Sequence, residues 1–382
     1  MTPPTALFFY GTLRHRPLLD LVLGPPGAGR VRLRPATLQG HEALWVVGED
    51  FPMIRRREGA VAEGLLAEGL LPDDAARLAF YEGAYRFSTR AVEVSSDGAP
   101  VRAATFFPDE EEAWQPGAPF ELEDWVARWG GVTTGAAAEY MTGYGRWAGS
   151  AAARFWPRFR SRAWSRIIAA GEAAPAAAER GPGGDTVVEH RRIRRHGGFF
   201  ALDEITLGHP AFSGGTVEVS REVFVGTDAA LVLPYDPGTD RVALVEQFRI
   251  GPYVRGDARP WALEPVAGLV DPGEDPADCA RREALEETGL ELGRLVPVPG
   301  GYPSPGATTE FFHLYVGLCP LGPDDADRPH SGMADEGEDI RTHILTLDEA
   351  IGLTETGAAK VLPLAFLLFW TALNRERLAE LA

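Results

Sequence analysis

The stretch "GLVDPGEDPADCARREALEETGL" (residues 268–290) decides how the second half of the chain is read. Its latter part predicts a helix. Asp275 can cap it, Pro276 suits the first helical position, and Asp278 favours the positive N-terminal end. Gly289 suits the stop. Ala280 and Ala284 lie four apart, so a small-residue face can approach a sheet closely. Glu283, Glu286 and Glu287 share one helical face, where like charges repel by a few tenths of a kcal/mol per pair, about what one Arg282–Glu286 pair returns. Two readings follow. The glutamates form a solvated acidic face, or they surround a hard cation. Mg²⁺ takes oxygen ligands and bridges carboxylates to phosphates, and its charge would cancel the repulsion.

The rest of the chain narrows the choice. Its 382 residues are too many for one ordinary core and predict two domains. Hydrophobic residues make up 45% and charged residues 24%, the balance of a globular protein. No apolar run approaches the length of a spanning helix, so no membrane partner is expected. The opening "MTPPTALFFYGTL" has no basic region before a long apolar run, so no leader is expected. Cys279 and Cys319 make neither a metal spacing nor a disulfide framework, and a reducing cytoplasm is the simplest setting. The formal net charge of −18 disfavours nucleic acid, and it disfavours small phosphates unless metal ions mediate. Lys360 is the only lysine, which excludes a GxxxxGK loop and argues against Schiff-base chemistry.

Three zones follow along the sequence. In residues 1–145, short apolar runs alternate with Gly/Pro turns. "RAVEVSSDGAPVRAATFF" (90–107) predicts a hairpin around Asp97-Gly98, and "ELEDWVARWGG" (121–131) predicts a short helix stopped by glycine. Residues 146–185 are Arg/Ala-rich and then Pro/Gly-rich. They read as a bridging helix carrying Phe155, Phe159, Trp164 and Ile168, followed by a flexible linker. A basic amphipathic helix could also contact a membrane or nucleic acid, which the acidic whole disfavours. Residues 186–382 predict strands at 218–226, a hairpin at 229–250 around "DPGTD", a helix at 275–288, a strand at 311–318 and a C-terminal helix. The expected class is a two-domain mixture of α/β and α+β.

The spacing G-x5-E-x7-R-E-U-x-E-E-x-G-U, from Gly268 to Leu290 with U apolar, resembles the Nudix box. That resemblance implies an α/β/α sandwich over 186–382 and a loop–helix–loop that holds divalent metal. By position it makes Glu283 and Glu287 metal ligands, Glu286 a third and the Ala267 carbonyl a further one, with Mg²⁺ or Mn²⁺ as the ion. Gly268, Glu274 and Arg282 would support the loop and helix. "YPSPGATTE" (302–310), "GMADEGEDIRTHIL" (332–345), "VEQFRIGPY" (245–253) and "WALEPVAGLV" (261–270) resemble the ADP-ribose pyrophosphatases within that family. The implied reaction is hydrolysis of ADP-ribose to AMP and ribose 5-phosphate. A loop glutamate would be the base, Glu336 first and Glu338 second. Arg249 reads as a phosphate or ribose contact, or as an ordinary surface ion pair. Glu310 is a structural or a substrate contact. The resemblance also implies a homodimer in which residues 190–225 reach a partner.

In the first half, "FFYGTLRHRPLLDLVLG" (8–24) sets Tyr-Gly-Thr-Leu at a strand end, where backbone N–H groups can approach an anion. It is otherwise a plain strand and turn. With "FYEGAYRFSTRAVEV" (80–94) it resembles the gamma-glutamylcyclotransferase-like fold, a small β-barrel with helices. The resemblance implies that Tyr10, Gly11, Thr12 and Leu13 bind a substrate carboxylate and that Glu82 accepts the proton of an α-amine, releasing 5-oxoproline. Glu82 is alternatively a structural acid paired with Arg86 or Arg90, in a domain kept for binding or assembly. The pairing of the two domains resembles bacterial proteins linked to tellurite resistance.

Overall fold

A computed structural model describes residues 6–110, 114–147, 153–171, 184–322 and 339–382. Glu336, Glu338 and the linker at 172–183 lie outside the described residues. The chain divides into two compact units, Met1–Glu179 with Gly197–Phe199, and Arg180–His196 with Phe200–Ala382.

The first unit is a closed five-stranded barrel with helices. Strands β1 (Ala6–Phe9), β2 (Arg32–Val46), β3 (Pro52–Glu68), β4 (Phe87–Ser96) and β5 (Ala99–Pro108) run in the order β3-β1-β5-β4-β2, and β2 pairs back to β3. A short strand, β6 (Pro116–Pro119), adds to β2. The sequence of β1 explains its place. It pairs parallel with β5 and is buried on both faces, which demands an unbroken apolar run. Ala6, Phe8 and Tyr10 join one core cluster with Leu38, Ile54 and Leu66. Leu7 and Phe9 join another beneath helices α1 (Arg16–Ala28) and α2 (Pro72–Glu82). The β4–β5 hairpin turns at Asp97 (φ 51°) and Gly98 (φ 76°), as the Asp-Gly pair predicts.

The short helix expected to stop at Gly130-Gly131 does not stop there. Helix α3 (Leu122–Trp125) runs on through Val126–Gly130 into α4 (Gly131–Tyr140). Both glycines keep helical dihedrals. The close approach to α5 (Trp156–Gly171) comes one turn later, at Gly135. A Cβ on Gly135 would lie 2.9 Å from Ala163 Cβ, and one on Gly131 3.5 Å from Ile167. Helix α5 buries Phe159 and Ala163 and carries a fully buried Arg162. Arg162 Nε donates to the two Glu139 carboxylate oxygens at 2.9 and 3.1 Å, and its Nη1 donates to the Phe199 carbonyl at 2.9 Å. A buried charge survives only when paired and fully hydrogen-bonded, which this one is.

The second unit is a mixed α/β sandwich. A three-stranded sheet, β7 (Val188–Gly197), β8 (Ala201–Pro210) and β9 (Thr216–Val225), precedes the central sheet. The central sheet holds β10 (Ala229–Asp236), β11 (Arg241–Phe248), β12 (Trp261–Glu264), β13 (Val266–Leu269), β14 (Leu295–Gly301), β15 (Phe312–Leu318) and β16 (Arg341–Thr346). Its main path is β12-β11-β10-β15-β14, with β13 on β10 and β16 on β11. The predicted β10–β11 hairpin forms, and Asp236 locks its turn by accepting from Gly238 N and Thr239 Oγ1 at 2.8 Å each. A short helix α6 (Ile250–Arg255) follows β11. The box helix α7 (Pro276–Thr288) packs on β13 and β10. Leu231, Leu233, Leu314 and Val316 bury the other face against α8 (Leu347–Glu355) and α9 (Leu362–Leu373). The expected C-terminal helix breaks at Asn374 (φ −116°), and a final turn, α10 (Arg375–Ala379), follows. Lys360, between α8 and α9, is exposed, with its Nζ 3.9 Å from Asp257. Among the described residues no helix is long and apolar enough to cross a membrane.

Candidate functional sites

The box helix begins and ends as its sequence predicts. Asp275 accepts the Ala277 N–H at 2.8 Å, Pro276 opens the helix and Gly289 closes it at φ 66°. Arg282 organises the acidic face. Its Nε and Nη2 grip Glu274 at 2.9 and 3.0 Å, while Nη1 reaches Glu283 at 2.6 Å and Glu286 at 3.1 Å. Burial works against ionisation of Glu274, but Arg282 and the Asp271 N–H hold its carboxyl below the ordinary range. Glu274 also accepts that N–H at 3.0 Å, which ties the loop to the helix. Glu287 is buried and accepts the Ala267 N–H at 3.3 Å. Gly268 shows why glycine stands there. A Cβ would fall 1.9 Å from Glu283 Oε1. The predicted residues Ala267, Gly268, Glu274, Arg282, Glu283, Glu286 and Glu287 therefore come together in one loop–helix unit.

Three helix carboxylates and a loop carbonyl are hard oxygen donors, the chemistry that Mg²⁺ or Mn²⁺ takes. The open face of Gly268 leaves the Glu283 carboxylate its place beside the loop. Among the described residues no three His, Cys, Asp or Glu side chains are gathered at metal-holding distance. Arg282 supplies the positive charge at Glu283 and Glu286.

Two partners were not read from the sequence. Arg249 bonds Glu264 at 2.7 Å, across the pair of strands in which Val245 faces Glu264. Burial raises the Glu264 carboxyl, and Arg249 offsets part of that. Asp228 pairs with His313 Nε2 at 2.8 Å, while its carbonyl accepts the Val270 N–H at 3.0 Å beneath the box loop. The signal for both was register, which a single sequence does not display. Glu310 is half-buried, and burial raises its carboxyl.

The first unit carries a cavity partly open to solvent, lined by Phe8 to Leu13, Phe51, Pro52, Glu82, Tyr85, Phe87 and Phe106. It brings together Tyr10, Gly11, Thr12, Leu13 and Glu82, seventy residues apart in sequence. Pro52 lies over the turn, where a Cβ on Gly11 would stand 2.8 Å from Pro52 Cγ. Desolvation pushes the Glu82 carboxyl up to about 8. The expected alternative partners are engaged elsewhere or turned away. Arg90 donates to the Pro108 carbonyl at 3.0 Å, and Arg86 is exposed in a left-handed turn at φ 58°. The aromatic lining from Phe51, Tyr85 and Phe106 was not anticipated.

Residues 226–365 match the family model described as "NUDIX domain", and residues 7–127 match "Gamma-glutamyl cyclotransferase, AIG2-like". An ADP-ribose pyrophosphatase of Escherichia coli (strain K12) is 41% identical over 182 residues, 47% of this chain and 85% of that protein. One from Haemophilus influenzae is 36% identical over 191 residues, 48% of this chain and 84% of the relative. A GDP-mannose pyrophosphatase of Pectobacterium atrosepticum is 35% identical over 174 residues, 46% of this chain and 86% of the relative.

Proposed function

We propose that this chain, which belongs to the Nudix family through its C-terminal unit, hydrolyses the diphosphate bond of a nucleoside diphosphate sugar, with ADP-ribose as its substrate. Water adds to one phosphorus, the bridging oxygen leaves with the other phosphate, and the products are AMP and ribose 5-phosphate. The observation that carries this reading is Arg282 bonded to Glu274, Glu283 and Glu286 beside Gly268, with Glu287 on the Ala267 N–H. Glu283, Glu286, Glu287 and the Ala267 carbonyl would hold Mg²⁺ or Mn²⁺. When bound, the ion supplies Lewis-acid charge compensation to the diphosphate, which a protein of net charge −18 does not supply in bulk. Arg282 and Glu274 hold the loop against the helix. Arg249 reads a phosphate or the ribose through its planar fork. Glu336, with Glu338 as the second candidate, accepts the proton of the attacking water. Strands β7–β9 supply the partner contact of a homodimer.

The test is incubation of the purified protein with ADP-ribose and Mg²⁺, with and without chelator, scored for AMP and ribose 5-phosphate. GDP-mannose serves as the competing substrate. Metal-dependent release supports the reading. Absence of release from either compound removes it.

A second reading concerns the first unit, and the shared cavity of Tyr10–Leu13 and Glu82 favours it. The N–H groups of the turn would hold a substrate carboxylate. Glu82 would take the proton of the α-amine as that nitrogen attacks the γ-carbonyl. The amide bond then breaks, the leaving amine takes the proton, and 5-oxoproline remains. The alternative is a binding or assembly module. Loss of 5-oxoproline release in Glu82→Gln separates the two, because a module shows no release to lose.

A further inference from the structure

We propose that helix α5, which lies beyond residues 7–127, is a working wall of the N-terminal cavity, with Trp156 and Arg160 as positioning residues for Tyr85 and for the Phe51–Pro52 segment. The inference rests on the reading of Glu82 as the proton-accepting group of that cavity.

Two contacts carry it. The Trp156 ring meets Tyr85 at 5.5 Å, Tyr81 at 6.1 Å and Tyr140 at 5.7 Å, each edge to face. Tyr85 lines the cavity one turn after Glu82, and Phe51 holds its other side at 5.0 Å. Trp156 thus backs a lining ring without touching the ligand space itself. One helical turn later Arg160 pairs with Asp50 at 2.8 Å, both largely buried, and its guanidinium stacks 5.2 Å from the Trp129 ring. The Asp50 carbonyl also accepts the Trp125 indole N–H at 2.8 Å. Asp50 leads directly into Phe51 and Pro52, and Pro52 covers the Gly11 turn. One helix therefore fixes both the aromatic side and the cover of the cavity. Edge-to-face aromatic contacts of this kind stabilise beyond area burial and together favour one wall geometry.

The consequence falls on Glu82, which lines the same cavity. Among the described residues, the other titratable groups here include Tyr10 at the end of β1, Tyr81 and Tyr85 beside Glu82, Tyr140 against Trp156, and Glu49 and Asp50 before β3. Arg160 stands against Asp50 and Glu49, before β3. The wall, rather than a neighbouring charge, then sets the acidity of Glu82.

The test uses the full chain with ¹³C-carboxyl glutamate, and Glu82→Gln assigns the Glu82 signal. Its titration is compared in wild type, Trp156→Phe, Trp156→Ala and Arg160→Met. The expected result is a midpoint at least tenfold more acidic in Trp156→Ala, largely restored in Trp156→Phe and intermediate in Arg160→Met. If Trp156→Ala does not fold, Arg160→Met decides. An unchanged Glu82 midpoint in Trp156→Ala, or in Arg160→Met where Trp156→Ala does not fold, overturns the proposal. Because this titration needs no substrate, a wild type that forms no 5-oxoproline would remove the catalytic reading and leave the wall comparison standing. Where 5-oxoproline does form, kcat falls more than KM rises in Arg160→Met.

Discussion

Gly268 has no side chain because Glu283 occupies the space one would need. Gly268→Ala must push Glu283 or the loop aside, since the nearest atom is a carboxylate oxygen held by Arg282. ADP-ribose hydrolysis is expected to fall at least tenfold with little change in the circular dichroism spectrum, and steady-state rates beside that spectrum check it. Glu287 is buried, so Glu287→Gln keeps the shape and removes the charge. Hydrolysis should fall by two or more orders of magnitude at fixed Mg²⁺, and a wild-type rate would sink its role as a ligand. Glu82 gives a pH signature. Its carboxyl, pushed up to about 8, binds protons more tightly folded than unfolded, so stability falls as pH rises from the unfolded carboxylate range towards 8. Glu82→Gln is expected to melt a few degrees above wild type at pH 9 and close to it at pH 5, at ~2–4 °C per kcal/mol for a unit of this size. Any 5-oxoproline release would rise with pH through the same region, because the base must lose its proton first.

Glycine carries two meanings within a helix, and α3–α4 separates them. Gly130 has helical dihedrals, and an added Cβ would make only ordinary contacts, the nearest with Val126 Cγ1 at 3.5 Å. Gly130→Ala should therefore stabilise by about 0.5–1 kcal/mol. Gly135 faces Ala163 across the α4–α5 contact, and Gly135→Val should destabilise by about 1–3 kcal/mol through overpacking. Thermal unfolding of the two variants checks both signs. The same ambiguity explains which elements the sequence discloses. The box helix is legible because its cap, stop, acidic face and clamping arginine all lie within 268–290 and act on each other locally. The helix expected to end at Gly131 runs on because both glycines take helical dihedrals and tertiary packing against α5 overrides their weak propensity. The YGTL turn and Glu82 were legible through their resemblance, but the wall around them was not. Phe51, Tyr85 and Trp156 come from three separate elements and meet only after folding. Arg249 stood out in the sequence as a phosphate contact or an ion pair, while its partner Glu264 depended on the β11–β12 register.

At the scale of the whole molecule, charge decides more than composition. A net charge of −18 repels an anionic substrate until it reaches the site, and added salt screens that repulsion. At saturating Mg²⁺ the KM for ADP-ribose is expected to fall several-fold between low salt and about 0.15 M, where the screening length shortens to ~8 Å. A KM that rises with salt would mean that local cations dominate the approach. Arginine supplies almost all the positive charge, and Lys360 is the single lysine, exposed between α8 and α9. That economy makes the protein unusually addressable. Side-chain amine chemistry has one destination in 382 residues, outside the box loop and outside the aromatic cavity. A single dye or cross-linker placed there would report on motion and assembly while leaving the box loop and the aromatic cavity chemically intact.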